Sequence, residues 1–174
     1  TRNAKARVIR DGVVFHDGTP LTADDVLYSL RYQGTSPAYS SIYADVDFDA
    51  STSDGEHTVV LKTTRPRADL VEGILAQVNL VFPDGTTDFS DGNGSGPFAV
   101  KSFSADTGTV LVRNDDYWGG APELEQIEFI PIADASARLA ALTDGQVDLA
   151  LGITAAGADS VDSDDSLAVV DDGI

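Results

Sequence analysis

The sequence predicts a mixed α/β fold, a mixed β-sheet with flanking helices, and three observations carry that prediction. Phe98 to Phe103 and Gly108 to Arg113 alternate apolar and polar residues, the period of two expected of half-buried antiparallel strands. Ala23, Val26, Leu27 and Leu30 recur at helical spacing behind Thr22, and Ala137, Leu139, Ala140 and Leu142 do the same behind Asp134. The remaining apolar runs are short and are separated by turn signals: Asp11-Gly12, Asp17-Gly18, Asp54-Gly55 and Pro83-Asp84-Gly85.

Length and composition bound what such a fold can do. A chain of 174 residues, 42% of them hydrophobic, can bury a real core as one domain or as two small subdomains sharing a sheet. Its longest apolar run, Ile74 to Val81, is broken by Gln77 and Asn79 and is far too short to span a bilayer. Acidic residues number 29 against 11 basic ones, for a net charge of -18, a field that repels phosphate backbones and argues against nucleic acid as a partner. Cysteine is absent, which excludes disulfides, thiolate nucleophiles and zinc-thiolate sites. Thr1 to Lys5 carry no apolar signal-peptide core, the expectation being a cytoplasmic, processed or trimmed chain.

Taken in order, Arg7-Val8-Ile9 and Val13-Val14-Phe15 read as a β-hairpin about Asp11-Gly12, because Gly accepts positive φ at no steric cost. Thr22 then caps a helix, with Asp25 at the capping-box position, running to about Tyr32 and stopping near Gly34. Asp45, Asp47, Asp49 and Glu56 copy the spacing of a calcium loop, but Ala50 stands where the turn needs Gly. The stretch after Glu56 also reads as a strand, not an exit helix, so an acidic edge strand turning at Asp54-Gly55 into His57 to Lys62 is the alternative.

Pro66 to Ala76 forms a helix with Leu70, Val71, Ile74 and Leu75 inside, and Gln77 to Phe82 a buried strand. Thr86 to Gly94 is loop. Its Asp91-Gly92-Asn93-Gly94-Ser95-Gly96 run lacks the Gly-Lys-Ser/Thr ending, and the following helix, of a phosphate cradle. Ile127 to Ile130 reads as a strand, Asp134 caps the helix ended by Gly145, and Asp148 to Leu151 and Leu167 to Val170 are candidate last strands.

Several of these segments together are similar to one family. Phe15-His16-Asp17-Gly18-Thr19-Pro20 with Thr22 to Val26, Gly94-Ser95-Gly96-Pro97-Phe98, and Arg113-Asn114-Asp115-Asp116-Tyr117-Trp118 occur in the order seen in family 5 extracellular solute-binding proteins. These are the peptide, dipeptide and nickel receptors of ABC importers. The helix from Asp134 and Gly145 to Asp148 continue the resemblance. It implies a type II periplasmic-binding-protein-like lobe with the second lobe absent: residues 1–92 as its outer subdomain and 93–174 as its inner sheet leading to the hinge.

It further implies a small solute, most simply a peptide, as ligand, an ABC permease as partner, no cofactor, no membrane span in this chain, a monomer, and an extracellular, cell-surface or periplasmic location. Tyr39 and Tyr43 near Ser36-Pro37, and Asn79 on its apolar strand, become the ligand-contact candidates. For each, core packing or backbone hydrogen bonding is the competing role. Trp118 is a ligand platform or, in this family, a wedge anchoring its turn. A family receptor is about three times this length, so weak or absent binding by this chain alone is expected. A stand-alone interaction domain and a hydrolase are the alternatives; the latter requires a buried carboxylate or His16 in a concave pocket, neither His16 nor His57 has a motif-placed nucleophile, and no Gly-x-Ser-x-Gly occurs.

Overall fold

The computed structural model describes residues 2–67, 70, 80–161, 164 and 166–170. It contains two three-stranded sheets. Strands β1 (Arg2–Val8), β2 (Val46–Ser53) and β3 (Thr58–Thr63) form the first, in the order β1-β3-β2. Strands β4 (Phe98–Ser104), β5 (Gly108–Arg113) and β6 (Gln126–Phe129) form the second, in chain order. Helices α1 (Ala23–Thr35), α2 (Ala135–Thr143) and α3 (Ala155–Val161) complete the regular structure. The chain divides into two compact units, Thr1–Ser104 with Thr109–Glu128, and Ala105–Gly108 with Phe129–Ile174.

In the first sheet β3 is central and antiparallel to both neighbours, with Ala4 opposite Leu61 and Val46 opposite Thr63. Its burial alternates: Val59, Leu61 and Thr63 face inward and their neighbours are half-buried. The acidic Val46–Ser53 stretch is an edge strand, as is β1, and it turns into β3 through Gly55 at φ 72. Helix α1 lays Ala23 and Leu30 against this sheet, where they join Tyr43, Val46, Val59, Leu61 and Leu70 in one buried cluster. A second cluster of Val13, Phe15 and Leu21 shares Ile9 and Val26 with it.

The expected hairpin between residues 7–9 and 13–15 does not form. The Asp11-Gly12 turn is present, with Gly12 at φ 75, but β1 pairs with β3 instead. Val13 to Phe15 folds back on residues 19–21, where Phe15 N–H donates to Thr19 and Leu21 N–H to Val13. The second turn wins because Asp17 secures it locally: its carboxylate accepts both the N–H and the hydroxyl of Thr19, at 2.9 and 2.6 Å.

Helix α1 begins as expected. The Asp25 carboxylate accepts from the N–H and the hydroxyl of Thr22, each at 2.7 Å. It runs through Gly34, whose role is packing rather than termination: a Cβ there would lie 2.9 Å from the Phe48 ring. The helix expected over Pro66 to Ala76 lies outside the described residues apart from 66, 67 and 70. Of the strand expected over Gln77 to Phe82, residues 77–79 lie outside the described residues, and Leu80 to Phe82 belongs to no strand.

Strands β4 and β5 form where the alternation places them, although β4 passes from half-buried to exposed residues and β5 is half-buried throughout; β6 lies one residue before the expected 127–130, and α2 follows its cap. Asp134 accepts from Ala137 N–H at 2.8 Å, and Gly145, at φ 68, lets residues 145 and 146 return hydrogen bonds to Leu142 and Ala141. Residues 148–151 and 167–170 are not strands. Among the described residues neither run has a ladder partner, and Leu149, Leu151 and Val170 stand largely exposed. No described helix is long and apolar enough to cross a membrane.

Candidate functional site

The C-terminal end of α1 is where two candidate segments meet. Gln33, buried in the last turn, donates through Nε2 to the Leu80 carbonyl at 3.0 Å and accepts from Leu80 N–H at 3.3 Å. One turn earlier the Ser29 hydroxyl does the same for Phe82, and one turn before that Asp25 accepts from Asp84 N–H at 2.8 Å. Three helix side chains four residues apart thus hold alternate residues of an extended segment. Four helical residues rise about 6 Å and two extended residues about 6.6 Å, so the registers match.

From the same end of α1 the chain leaves through Ser36, whose carbonyl accepts from Tyr39 N–H at 3.0 Å and Ser40 N–H at 2.8 Å. Residues 36–45 form consecutive turns rather than a helix. They treat the two tyrosines differently. Tyr39 is 38% exposed and presents its ring at the surface. Tyr43 is buried, with its ring 6.0 Å from that of Phe48, inside the main core cluster. Burial, and next the charge of a nearby Tyr39, push the Tyr43 hydroxyl above the ordinary tyrosine range and keep it neutral. Asn79 lies outside the described residues; its neighbour Leu80, the residue anchored by Gln33, is 75% exposed.

A four-ring cluster adjoins this end of α1 and was not visible as a group in the sequence. Tyr28 and Tyr32, four apart on the helix, meet Phe82 and Phe89, with centroid separations from 4.9 to 6.4 Å and mostly edge-on geometry. The Tyr28 hydroxyl donates to the Thr86 carbonyl at 2.8 Å, closing the loop over the rings. Tyr32 and Phe89 remain part-exposed. The i, i+4 spacing of the tyrosines was the available signal; nothing local announces their pairing with residues some fifty positions away.

The other singled-out residues have structural partners. One face of Trp118 is occupied by the Arg10 guanidinium, 4.6 Å from its ring, and Tyr117 lies beside it. Asp45 binds Arg65 at 2.7 Å and Arg67 at 3.1 Å, contacts that hold its carboxyl below the usual carboxylate range, Arg65 contributing most. Asp47 accepts from Ala50 N–H. Both ring nitrogens of His16 are engaged by backbone, at Gly94 and Gly96. His57 sits 3.2 Å from Asp11 at the surface. Asn93 pairs with Asp17, its Oδ1 accepting from Asp17 N–H at 3.3 Å and its side-chain amide donating to the Asp17 carboxylate at 2.9 Å.

The end of α1 thus carries an anchored chain segment at Leu80, a part-exposed ring cluster and the exposed Tyr39 just beyond it. The chain belongs to the family described as bacterial extracellular solute-binding proteins, family 5, whose model for the middle region matches residues 8–173. The oligopeptide-binding protein AppA of Bacillus subtilis (strain 168) is 28% identical over 157 residues, covering 80% of this chain and 28% of AppA. The "Probable D,D-dipeptide-binding periplasmic protein DdpA" of Escherichia coli (strain K12) is 29% identical over 158 residues, covering 82% of this chain and 30% of DdpA.

Among solved structures, the nickel ABC transporter protein of Bacillus halodurans superposes with a TM-score of 0.78 at 28% identity, over 91% of this chain and 33% of that one. Bacillus subtilis AppA bound to a nonapeptide superposes with a TM-score of 0.66 at 28% identity, over 83% of this chain and 31% of that one. The chain spans about a third of the length of these relatives.

Proposed function

We propose that the chain is part of the solute-binding component of an ABC importer, that it takes peptides, and that it works outside the cytoplasm beside a membrane permease. The observation that carries the reading is the match to family 5 over residues 8–173, together with similarity to AppA and DdpA over about four-fifths of the chain. The geometry supports it. Tyr39 offers an exposed ring, and the Gln33 anchor holds Leu80, next to Asn79, at the same end of α1. Such a wall binds by burial, stacking and a few backbone hydrogen bonds, and no bond of the solute is broken. His16, the histidine an enzyme reading would need, has both ring nitrogens on backbone, which supports binding rather than catalysis.

Only one wall of a cleft is assigned here, so the free chain binds peptide weakly. Titration calorimetry with di- to pentapeptides tests this, and micromolar affinity overturns it. Amide shift mapping tests the solute class: peptides at high concentration should shift residues around Tyr39 and Leu80, and Tyr39→Ala should remove those shifts. The similarity to a nickel ABC transporter protein favours a second reading, a nickel chelate. Shifts produced by nickel with histidine, and not by peptides, would establish that reading instead. No shift with either solute would favour a stand-alone interaction domain.

A further inference from the structure

We propose that His16 is a pH-responsive latch: as neutral imidazole it helps fasten the turn at residues 93–96 to the turn at residues 15–20, and as imidazolium it gives up its Gly94 contact and loosens that fastening. The ring meets backbone on two sides. Gly94 N–H donates to Nδ1 at 3.2 Å, and Nε2 lies 3.1 Å from the Gly96 carbonyl oxygen, which can only accept. These partners determine the tautomer, placing the lone pair on Nδ1 and the proton on Nε2. A main-chain bond from His16 N–H to the Gly94 carbonyl, at 2.7 Å, completes the fastening.

Protonating Nδ1 sets one N–H against another at Gly94, while the Gly96 bond can persist. The latch therefore loses its Gly94 contact first. Charged groups on the surrounding elements are already engaged. Asp17, on the same turn, takes Thr19 and the Asn93 side-chain amide. Asp91 takes Asn93 N–H. Arg113 pairs with Asp115 on either side of Asn114, whose amide shares the Gly96 carbonyl. None of these carboxylates is hydrogen-bonded to the ring, so the imidazolium gains no direct contact in exchange for the one it loses. Salt at about 0.15 M screens charge beyond about 8 Å.

The test is NMR of the 174-residue chain in such salt, from about pH 8 to pH 5, the range in which histidine changes charge. Imidazole nitrogen shifts at the upper end should report the proton on Nε2. Amide protection factors at Gly94 and His16 should fall about threefold to tenfold on acidification, the factor one net hydrogen bond represents. In His16→Asn the side-chain oxygen stands near the Nδ1 position and has no proton to gain, so protection there should be flat with pH. In His57→Gln the wild-type response should persist. The proton on Nδ1 at the upper end, constant wild-type protection, an equal fall in His16→Asn, or loss of the response in His57→Gln would each overturn the latch. If His16→Asn does not fold, the tautomer and the wild-type protection profile decide by themselves.

Discussion

The Ser29 hydroxyl donates to the carbonyl of Phe82 and accepts from its N–H, both at 3.0 Å, doing for this residue what a neighbouring strand would do. With Gln33 on Leu80 and Asp25 on Asp84, it makes α1 the backbone partner of the 80–84 segment. The arrangement requires small or amide-bearing polar residues on a buried helix face, where apolar ones would ordinarily stand.

Ser29→Ala should therefore destabilise the chain by about 1–3 kcal/mol, the cost of leaving a buried N–H and carbonyl without partners. Gln33→Leu should cost less, because Leu80 is exposed and water can take up its N–H and carbonyl. Because both residues belong to one network, the double variant should cost less than the sum. Urea unfolding midpoints measure all three, and an additive pair would show that the anchors act independently.

Gly108 begins β5 at φ 111, and a Cβ there would lie 2.1 Å from the Phe129 carbonyl oxygen. Neither backbone strain nor a backbone clash can be relieved by a rotamer change. Gly108→Ala should lower the unfolding midpoint markedly, whereas Gly120→Ala, at φ 94 with open space around it, should show the φ penalty alone. Thermal unfolding of the two variants separates the effects; equal losses would show that β6 yields.

What the sequence revealed was local chemistry. Thr22 with Asp25, Asp134 with Gly145, and the alternation of β4 and β5 each specify an element within a few residues, and each element formed. What stayed hidden was the choice of distant partner. The Asp11-Gly12 signal made a real turn, but β1 paired with β3, more than fifty residues away. Leu80 to Phe82 looked like a strand because its chain is extended; its hydrogen bonds go to helix side chains, which no periodicity reports. At the candidate site Tyr39 and Tyr43 were indistinguishable by spacing, and only the fold separates the surface ring from the core ring.

Asp45 predicts an acid-side dependence. Its folded carboxyl lies below the ordinary value of 3.8, through Arg65 and then Arg67, so the ion pairs contribute above that value and fade as pH falls below it. Wild type should be more stable than Asp45→Asn at neutral pH, and the difference should vanish as the carboxyl protonates below about pH 3.8. Urea titrations of both proteins across that interval check the sign. A difference that persists unchanged into strong acid would assign the role of Asp45 to packing.

Tyr43 predicts the opposite end of the pH scale. Burial, and secondly Tyr39, raise its hydroxyl above the ordinary value of 10.0, so the folded chain holds a proton that the unfolded chain has released. Stability from this source is complete below pH 10 and declines as pH rises through the folded value. Tyr43→Phe cannot ionise and should lose less stability than wild type between neutral and strongly alkaline pH. Tyr39→Phe removes the neighbouring charge without changing burial, so the Tyr43 absorbance transition should move down, though not back to 10.0. Ultraviolet titration of the phenolate band reads both effects. An unmoved Tyr43 transition in Tyr39→Phe would show that the two hydroxyls do not interact, and would remove the electrostatic link between the surface ring proposed for the ligand and the core ring beneath it.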